Sequence, residues 1–459
     1  MNQASNMHNH KDIDMTKGNP VVVILLFTLP LLLGNIFQQL YNIVDSMVVG
    51  KYIGDTALAA VSSSGSLIAL LIGLIQGITV GAGIVIAQYF GAKNIDKIQK
   101  TIHTTVAFGL ILGLLMTIVG FFLSPILLKI MGTPDDVLPL SITYFQTYFL
   151  GVFFTIMYNI GSAIFRAVGN SRYPLYCLIV ACILNILLDL LFVSVFKWGV
   201  VGVAISTIFS QFVSMALTFI KLFRDDDVYR VYIKKIKIYK EEIKKIIAYG
   251  LPSGLQNSII SLSNVFIQSN INSFGAIAQA GCGAFQKLEG FATMPSGSFS
   301  MALSTYVGQN IGAKKYGRAK KGAILGLIID LLITELLGII MFIFAPNLIG
   351  LFSSTQEVIE VGTLQTRTIT LFYFLLAFAH GTSGILRGLG YSKTPMFTTI
   401  ICWVLVRIIG IPIALSLPGM NHIQTIFYFY PFTWSLSFIV LIFIWVYISI
   451  KKEKNIDDF

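Results

Sequence analysis

The sequence predicts an all-α membrane protein: twelve transmembrane helices in two homologous six-helix bundles. Three observations carry this. Of 459 residues, 55% are hydrophobic and 12% charged, and the mean hydropathy is +0.80, whereas soluble proteins carry roughly 25% charged residues. The apolar runs are continuous and near ~20 residues long, the length of a membrane-crossing helix and not the alternating ten-residue pattern of a barrel strand. Finally, the first half of the chain recurs in the second. Lipid offers no hydrogen-bond partners to open sheet edges, so helices are the expected spanning elements.

Apolar runs bounded by charges or Gly/Pro clusters place the first six spans near 21–49, 57–88, 101–123, 139–165, 173–196 and 199–221. The second six lie near 247–272, 277–305, 322–344, 357–385, 395–416 and 424–450. The division is therefore a tail at 1–20, a lobe at 21–222, a linker at 223–246, a second lobe at 247–450 and a tail at 451–459. Pro30 and Pro252 fall inside the first span of each set and predict kinks. Cys177, Cys182, Cys282 and Cys402 lie in apolar runs without metal-site spacing and read as small core residues. The polar N-terminus lacks the charged-then-apolar pattern of a signal peptide.

Basic residues predict the sidedness. The termini and even-numbered loops hold 26 of the 32 Lys and Arg, and the opposite loops hold Lys51, Lys129 and Lys197. By the positive-inside rule both termini are expected in the cytoplasm, with the chain in the plasma (inner) membrane. The net charge of +11 is thereby explained without a nucleic-acid partner. The stretch from Val228 to Lys240, Val-Tyr-Arg-Val-Tyr-Ile-Lys-Lys-Ile-Lys-Ile-Tyr-Lys, predicts a basic amphipathic helix lying on anionic lipid.

The repeat keeps one register. Gly91-Ala92-Lys93 returns as Gly312-Ala313-Lys314, and the run Arg166 to Pro174 returns as Arg387 to Pro395, both 221 residues on. Leu29-Pro30 matches Leu251-Pro252 at 222. Chance does not hold one offset over such a distance. Each half has an even number of spans, so the repeats share an orientation about an axis along the membrane normal. Carriers of this design bind substrate between halves and rock them for alternating access.

Ionisable residues deep in lipid cost roughly 2.5–3.5 kcal/mol on insertion scales and are functional candidates by default. In the first span, Asp45 shares a helix face with Asn42, Tyr41 and Gln38. In the fifth, Asn185 and Asp189 stand at i, i+4. At ~1.5 Å per residue, Asp189 lies about 24 Å from the start of its span and Thr207 about 12 Å from the start of the sixth. Asp45, Asn185, Asp189 and Thr207 are thus expected to converge in the outer half of the first lobe. Two carboxylates, an amide and a hydroxyl offer hard oxygen ligands for Na⁺; alternatively, two neighbouring carboxylates hold a proton. The second lobe lacks this set: 221 residues on, Asn185 and Asp189 become Val406 and Gly410. Its Lys287, Glu289, Asp330, Glu335, Arg367 and Arg407 are expected to form buried charge pairs.

Taken together, several motifs resemble the multidrug and toxic compound extrusion (MATE) transporters over residues 20 to 450. They are Tyr41-Asn42-Ile43-Val44-Asp45, Gly91-Ala92-Lys93, Arg166 with Gly169 and Pro174, Asn185-Ile186-Leu187-Leu188-Asp189, Gln286-Lys287-Leu288-Glu289 and Val307 to Ala313. The resemblance is closer to the subgroup with an acidic pair in the N-terminal lobe. It implies a V-shaped, outward-open pair of lobes and export of cationic amphipathic drugs or dyes in exchange for Na⁺ or H⁺. It also implies a coupling-cation site at Asp45, Asn185, Asp189 and Thr207, which are the metal ligands if the ion is Na⁺. Gln38 and Asn159 resemble substrate-contacting positions, and Tyr41 and Asn42 are grouped with them. No cofactor beyond the coupling ion is expected, and the chain is expected to act as a monomer among membrane lipids. An alternative in the related exporter superfamily is a lipid-linked oligosaccharide flippase, but such proteins favour a cationic cavity. An enzyme is not expected: His380, the one histidine placed in a span, has no catalytic partner, and no Walker loop is present.

Overall fold

A computed structural model describes residues 13–454; residues 1–12 and 455–459 of the two expected tails lie outside the described residues. Among the described residues every regular element is helical. The first six spans are α1 (Pro20–Tyr52), α2 (Asp55–Gly91), α3 (Ile95–Ile130), α4 (Leu138–Ala167), α5 (Arg172–Asp189) and α6 (Gly199–Arg224). A π-helical turn, Leu190–Val195, prolongs α5. The second set begins with α7 (Lys240–Asn272) and continues as α8 (Ala276–Ala292) with α9 (Met294–Gly312). Next come α10 (Tyr316–Ile343) with the short α11 (Ala345–Gly350), then α12 (Gln356–Ile369) and α13 (Tyr373–Gly388) about the 3₁₀ turn Thr370–Phe372. The eleventh span is α14 (Lys393–Thr399), a π-helical turn Ile400–Leu405 and α15 (Val406–Ser416); the twelfth is α16 (Ile423–Lys454).

Ten of the described helical segments are long and apolar enough to cross a membrane. The two other expected spans form α7 and the α8–α9 pair. Their hydropathy is diluted by Gln256, Asn257, Asn264, Gln268, Lys287 and Glu289. Local chemistry explains where helices start. Asn19 accepts the Val21 N–H at 3.0 Å with Pro20 in the first turn. Asn94 likewise accepts the Lys97 N–H at 3.1 Å, and the Asp96–Lys100 ion pair at 2.6 Å supports the next turn. Thus α3 begins several residues before the apolar run that predicted it.

The repeat reappears in the backbone. Left-handed residues occur in pairs 221 apart: Gly54 (φ 113°) with Gly275 (94°), Lys93 (55°) with Lys314 (58°), and Gly169 (101°) with Gly390 (91°). The lysine pair closes α2 and α9 with the same hydrogen bonds, Lys93 N–H to the Phe90 carbonyl and Lys314 N–H to that of Ile311, each 3.0 Å.

The chain forms two compact units. The first comprises residues up to Gly254 together with Gly308–Arg318; the second comprises Leu255–Val307 and Ala319 onward. In the first, α4 packs against α2, α3 and α6 around Phe145, Phe149, Ile156, Ile160, Ile164 and Phe165. Lipid is as apolar as these side chains, so close packing holds the bundle more than water exclusion does. The segment after Gly308 fits by close backbone approach. A Cβ on Gly91 would lie 1.9 Å from the Gln309 carbonyl oxygen, and one on Gly312 would lie 1.9 Å from that of Gln88. These glycines are needed for space, and the two contacts are exchanged by the 221-residue register.

The linker differs from its expected form. From Asp225 to Tyr239 the chain is largely extended, with one 3₁₀ turn at Ile233–Lys235, and is not an amphipathic helix. Tyr229 and Val231 are buried while Tyr232 faces outward, the two-residue period of extended chain, which ends at the 3₁₀ turn where Ile233 is exposed. Backbone groups find partners on α3: Tyr232 N–H donates to His103 Nε2 (2.9 Å), and Gln99 Nε2 donates to the Val228 carbonyl (2.6 Å). β-branched and aromatic alternation outweighs the helical charge pattern there.

In the second unit Glu289 and Arg407 are electrostatic neighbours of opposite charge, and the other expected charge pairs give way to neutral partners. Asp330, wholly buried, accepts from Thr334 (3.1 Å) and Ser296 (3.4 Å). Glu335 accepts the Phe374 N–H at 2.8 Å, one of the free amides at the start of α13. Arg407 donates from Nε to Thr433 at 3.0 Å and lies over the Tyr430 ring at 4.6 Å. Lys287 and Arg367 lie over Phe352 and Phe342. Hydroxyls, helix-end amides and ring faces were closer at hand than opposite charges.

Candidate functional site

In the first unit α1, α5 and α6 bring polar side chains into one pocket. It is lined by Tyr41, Leu178, Ala181, Cys182, Asn185, Thr207, Ser210 and Gln211. Asn185 on α5 lines it, as do Thr207 and Gln211, one turn apart on α6; Asp189 lies one turn beyond Asn185 on α5. Asp189 is wholly buried and Asp45 on α1 nearly so, and their carboxyls are within hydrogen-bonding reach of each other. Val48, Val49, Tyr144, Val193, Val203 and Ala204, from α1, α4, the π-helical turn and α6, pack into one hydrophobic cluster. The π-helical turn begins at the residue after Asp189; π-bulges inside α-helices are frequent at functional sites.

The hydrogen bonding is incomplete in a consistent way. Ser206 donates its hydroxyl to Asp189 Oδ1, and Thr207 donates to the Val203 carbonyl at 3.0 Å. Asp45 Oδ1, Asp189 Oδ2, Gln211 Oε1 and both polar atoms of Asn185 are buried without a protein partner. Each such group costs about 1–3 kcal/mol when left unsatisfied. Four of the five are acceptor oxygens, so the pocket offers negative potential and lone pairs. Two carboxyls in contact in a low-dielectric lobe also require a proton or a cation between them. The arrangement can hold and release one small cation.

Of the four residues expected at the cation site, Asn185 and Thr207 line the pocket with Tyr41, while Asp45 and Asp189 meet each other through their carboxyls. Gln38 is exposed on α1 but reaches the Tyr41 hydroxyl. Asn42 is exposed, and Asn159 donates to the Thr155 carbonyl within α4 at 2.8 Å; neither lines the pocket. Sequence reading missed Ser206 and Gln211. A signal existed for both: Gln211 is one turn from Thr207, and Ser206, Ser210, Ser214 and Thr218 form an i, i+4 column of buried hydroxyls on α6. The π-helical turn had no sequence signal.

A duplicated six-helix bundle of this hydropathy, with a buried carboxyl pair in the first unit, defines a multi-pass membrane protein. The family model described as MatE matches residues 30–191 and 252–413, one range in each repeat. The chain belongs to the MatE family. It is similar to the probable multidrug resistance protein YpnP of Bacillus subtilis (strain 168), 31% identical over 396 residues covering 86% of this chain and 88% of that protein. The probable multidrug resistance protein YoeA of the same organism is 29% identical over 441 residues, covering 93% and 94%. Among solved structures, the outward-facing conformation of a multidrug resistance MATE family transporter of the MOP superfamily matches with TM-score 0.90. Identity there is 23%, over 98% of this chain and 100% of that one, so this likeness speaks for the fold.

Proposed function

We propose that the protein is a secondary active exporter that expels cationic amphipathic compounds in exchange for Na⁺ or H⁺ by alternating access. The observation that carries this reading is the buried Asp45–Asp189 carboxyl pair, with four acceptor oxygens on Asp45, Asn185, Asp189 and Gln211 that have no protein partner. A cation satisfies them in one conformation and leaves in the other, and a ligand drives a cycle only when its affinity differs between the states. Asp45, Asn185, Asp189 and Thr207 hold the coupling ion, with Ser206 fixing Asp189 and Gln211 offering a further oxygen. Tyr41 and Gln38 stand where a substrate cation meets the same field. The names of the relatives favour drug export over oligosaccharide flipping, as does the anionic pocket. No catalytic constellation is invoked. Both termini are assigned to the cytoplasm on the basic-residue asymmetry, in the plasma membrane, with the chain working as a monomer.

Ethidium efflux from proteoliposomes, with a Na⁺ gradient or a pH gradient imposed separately, tests this. Efflux under one gradient and not the other identifies the ion. Efflux under neither, by protein that retains its helical spectrum, removes the proposal.

A further inference from the structure

Residues 13–18, ahead of α1, are held by a series of contacts, all within the first unit. Ile13 donates its N–H to the Gly169 carbonyl at 3.2 Å, in the loop between α4 and α5. The approach is close: a Cβ on Gly169 would lie 2.1 Å from the Ile13 carbonyl oxygen. Met15 is wholly buried and donates its N–H to Gln309 Oε1 at 3.3 Å. Its carbonyl accepts from Asn310 Nδ2 (3.1 Å) and from Arg318 Nε and Nη2 (3.2 Å each). Arg318 also donates to the carbonyls of Lys17 (2.5 Å) and Gly18 (2.7 Å), and Lys315 Nζ to that of Thr16 (2.8 Å).

Two features make this more than a tethered tail. First, the segment joins two loops from opposite repeats, α4–α5 and α9–α10. Gln309 touches both, because its Nε2 donates to the Ala167 carbonyl at 2.8 Å while its Oε1 receives Met15. Second, the bonds fall mostly on backbone carbonyls of residues 15–18 and come from long cationic side chains at a partly exposed end. Water can replace such bonds at small cost, so the segment can lift and return. Asp14 keeps the turn folded. Burial pushes its pKa up, but hydrogen bonds from the Thr16 hydroxyl and amide and from Lys17 outweigh it and hold the carboxylate below the usual range.

We propose that residues 13–18 form a latch, held by Arg318, Lys315 and Asn310, that ties the α4–α5 and α9–α10 loops and is released once in each transport cycle. This rests on the carrier reading above, since alternating access requires these loop ends to part. Arg318 is a positioning residue: it acts on the strap and touches neither ion nor substrate.

The test uses full-length protein in proteoliposomes carrying Met15→Cys, the four native cysteines being buried. Thiol labelling at position 15 should be slow at rest, several-fold faster with dye and gradient imposed, and at least ten-fold faster at rest in Met15→Cys/Arg318→Ala. Thr16→Cys with Lys315→Ala repeats the measurement should Met15→Cys fold poorly. A Met15→Cys/Asn310→Cys pair, once oxidised, should stop efflux, and reduction should restore it. Labelling equal in the Arg318→Ala and parent backgrounds overturns the latch, as does an oxidised pair that transports at the parent rate. Loss of all dye transport under every gradient would instead strike the carrier reading, while the resting labelling rates would still decide whether Arg318 holds the strap.

Discussion

The two units place a pocket at matching points of the repeat and fill it differently. In the register of 221, Leu178 and Cys182 of the first pocket correspond to Thr399 and Trp403 of the second. The second pocket, between α7, α13, α14 and α16, is lined by Gln256, His380, Ser383, Thr398, Thr399, Trp403 and Ser437, among others. Its polar groups largely serve one another. Gln256 Nε2 donates to Thr399 at 2.9 Å and Trp403 Nε1 donates to Ser437 at 2.5 Å, although Gln256 Oε1 is left over. Where the first unit has Asp189, the second has Gly410, whose missing Cβ would lie 2.6 Å from the Phe429 ring. Duplication supplied two equivalent clefts. Among the described residues, the first unit's Asn185 and Gln211 belong with a buried carboxyl pair that has unanswered lone pairs, which is why the cation is proposed there.

The largest expected effect breaks the comparison most directly. Asp45→Asn and Asp189→Asn should each reduce gradient-driven dye efflux to the leak rate while leaving folded protein in the membrane. Because the two carboxyls act as a unit, the double variant should be little worse than either single one. Near-normal coupled efflux from either purified variant would place the cation elsewhere.

A smaller loss should follow Ser206→Ala, which strips Asp189 of its hydroxyl donor. A charge-assisted bond of about 1.5 kcal/mol corresponds to roughly ten-fold, so efflux at a limiting gradient should fall by that order. Titrating the imposed gradient measures it, and an unchanged titration would show that Ser206 is only a helix contact.

Asp330→Asn should act on stability and leave coupling intact, since Asp330 accepts two buried hydroxyls in the second unit and faces no orphaned acceptor set. A cost of about 1–3 kcal/mol is expected, read as a lower melting temperature in detergent. A stable Asp330→Asn protein that has lost its Na⁺ or pH dependence would move part of the coupling into the second unit. The smallest effect is expected for Gln256→Ala: dye efflux within two-fold of the parent, because the amide serves a hydroxyl of its own unit. A collapse of transport there would show that both pockets take part.

The helices themselves were legible because each apolar run must satisfy its own backbone in lipid, and that constraint acts along the chain. The four residues proposed to hold the cation were legible as candidates for a related reason: helical spacing and depth put Asp45, Asn185, Asp189 and Thr207 at one level. Ser206 was not, since a serine next to Thr207 on an apolar helix most often bonds its own backbone, as Ser206 also does to the Val203 carbonyl at 2.9 Å. The linker misled because a run of Lys and Ile between Val228 and Lys240 fits both periods. Only the α3 partners His103, Thr104 and Gln99 choose between them.

By itself, then, the sequence determined the membrane as solvent, the helical class, the duplication and the two carboxylates within spans of the first half. All of these follow from composition, period and repeat, which are properties of neighbours in the chain. Tertiary structure alone decided which lone pairs stay unanswered, how second-unit charges find rings and hydroxyls in place of opposite charges, and where residues 13–18 come to rest. Those outcomes depend on groups hundreds of residues apart, such as Met15 and Gln309. Hydrogen bonding and close packing are settled within a few ångströms, whatever the separation along the chain.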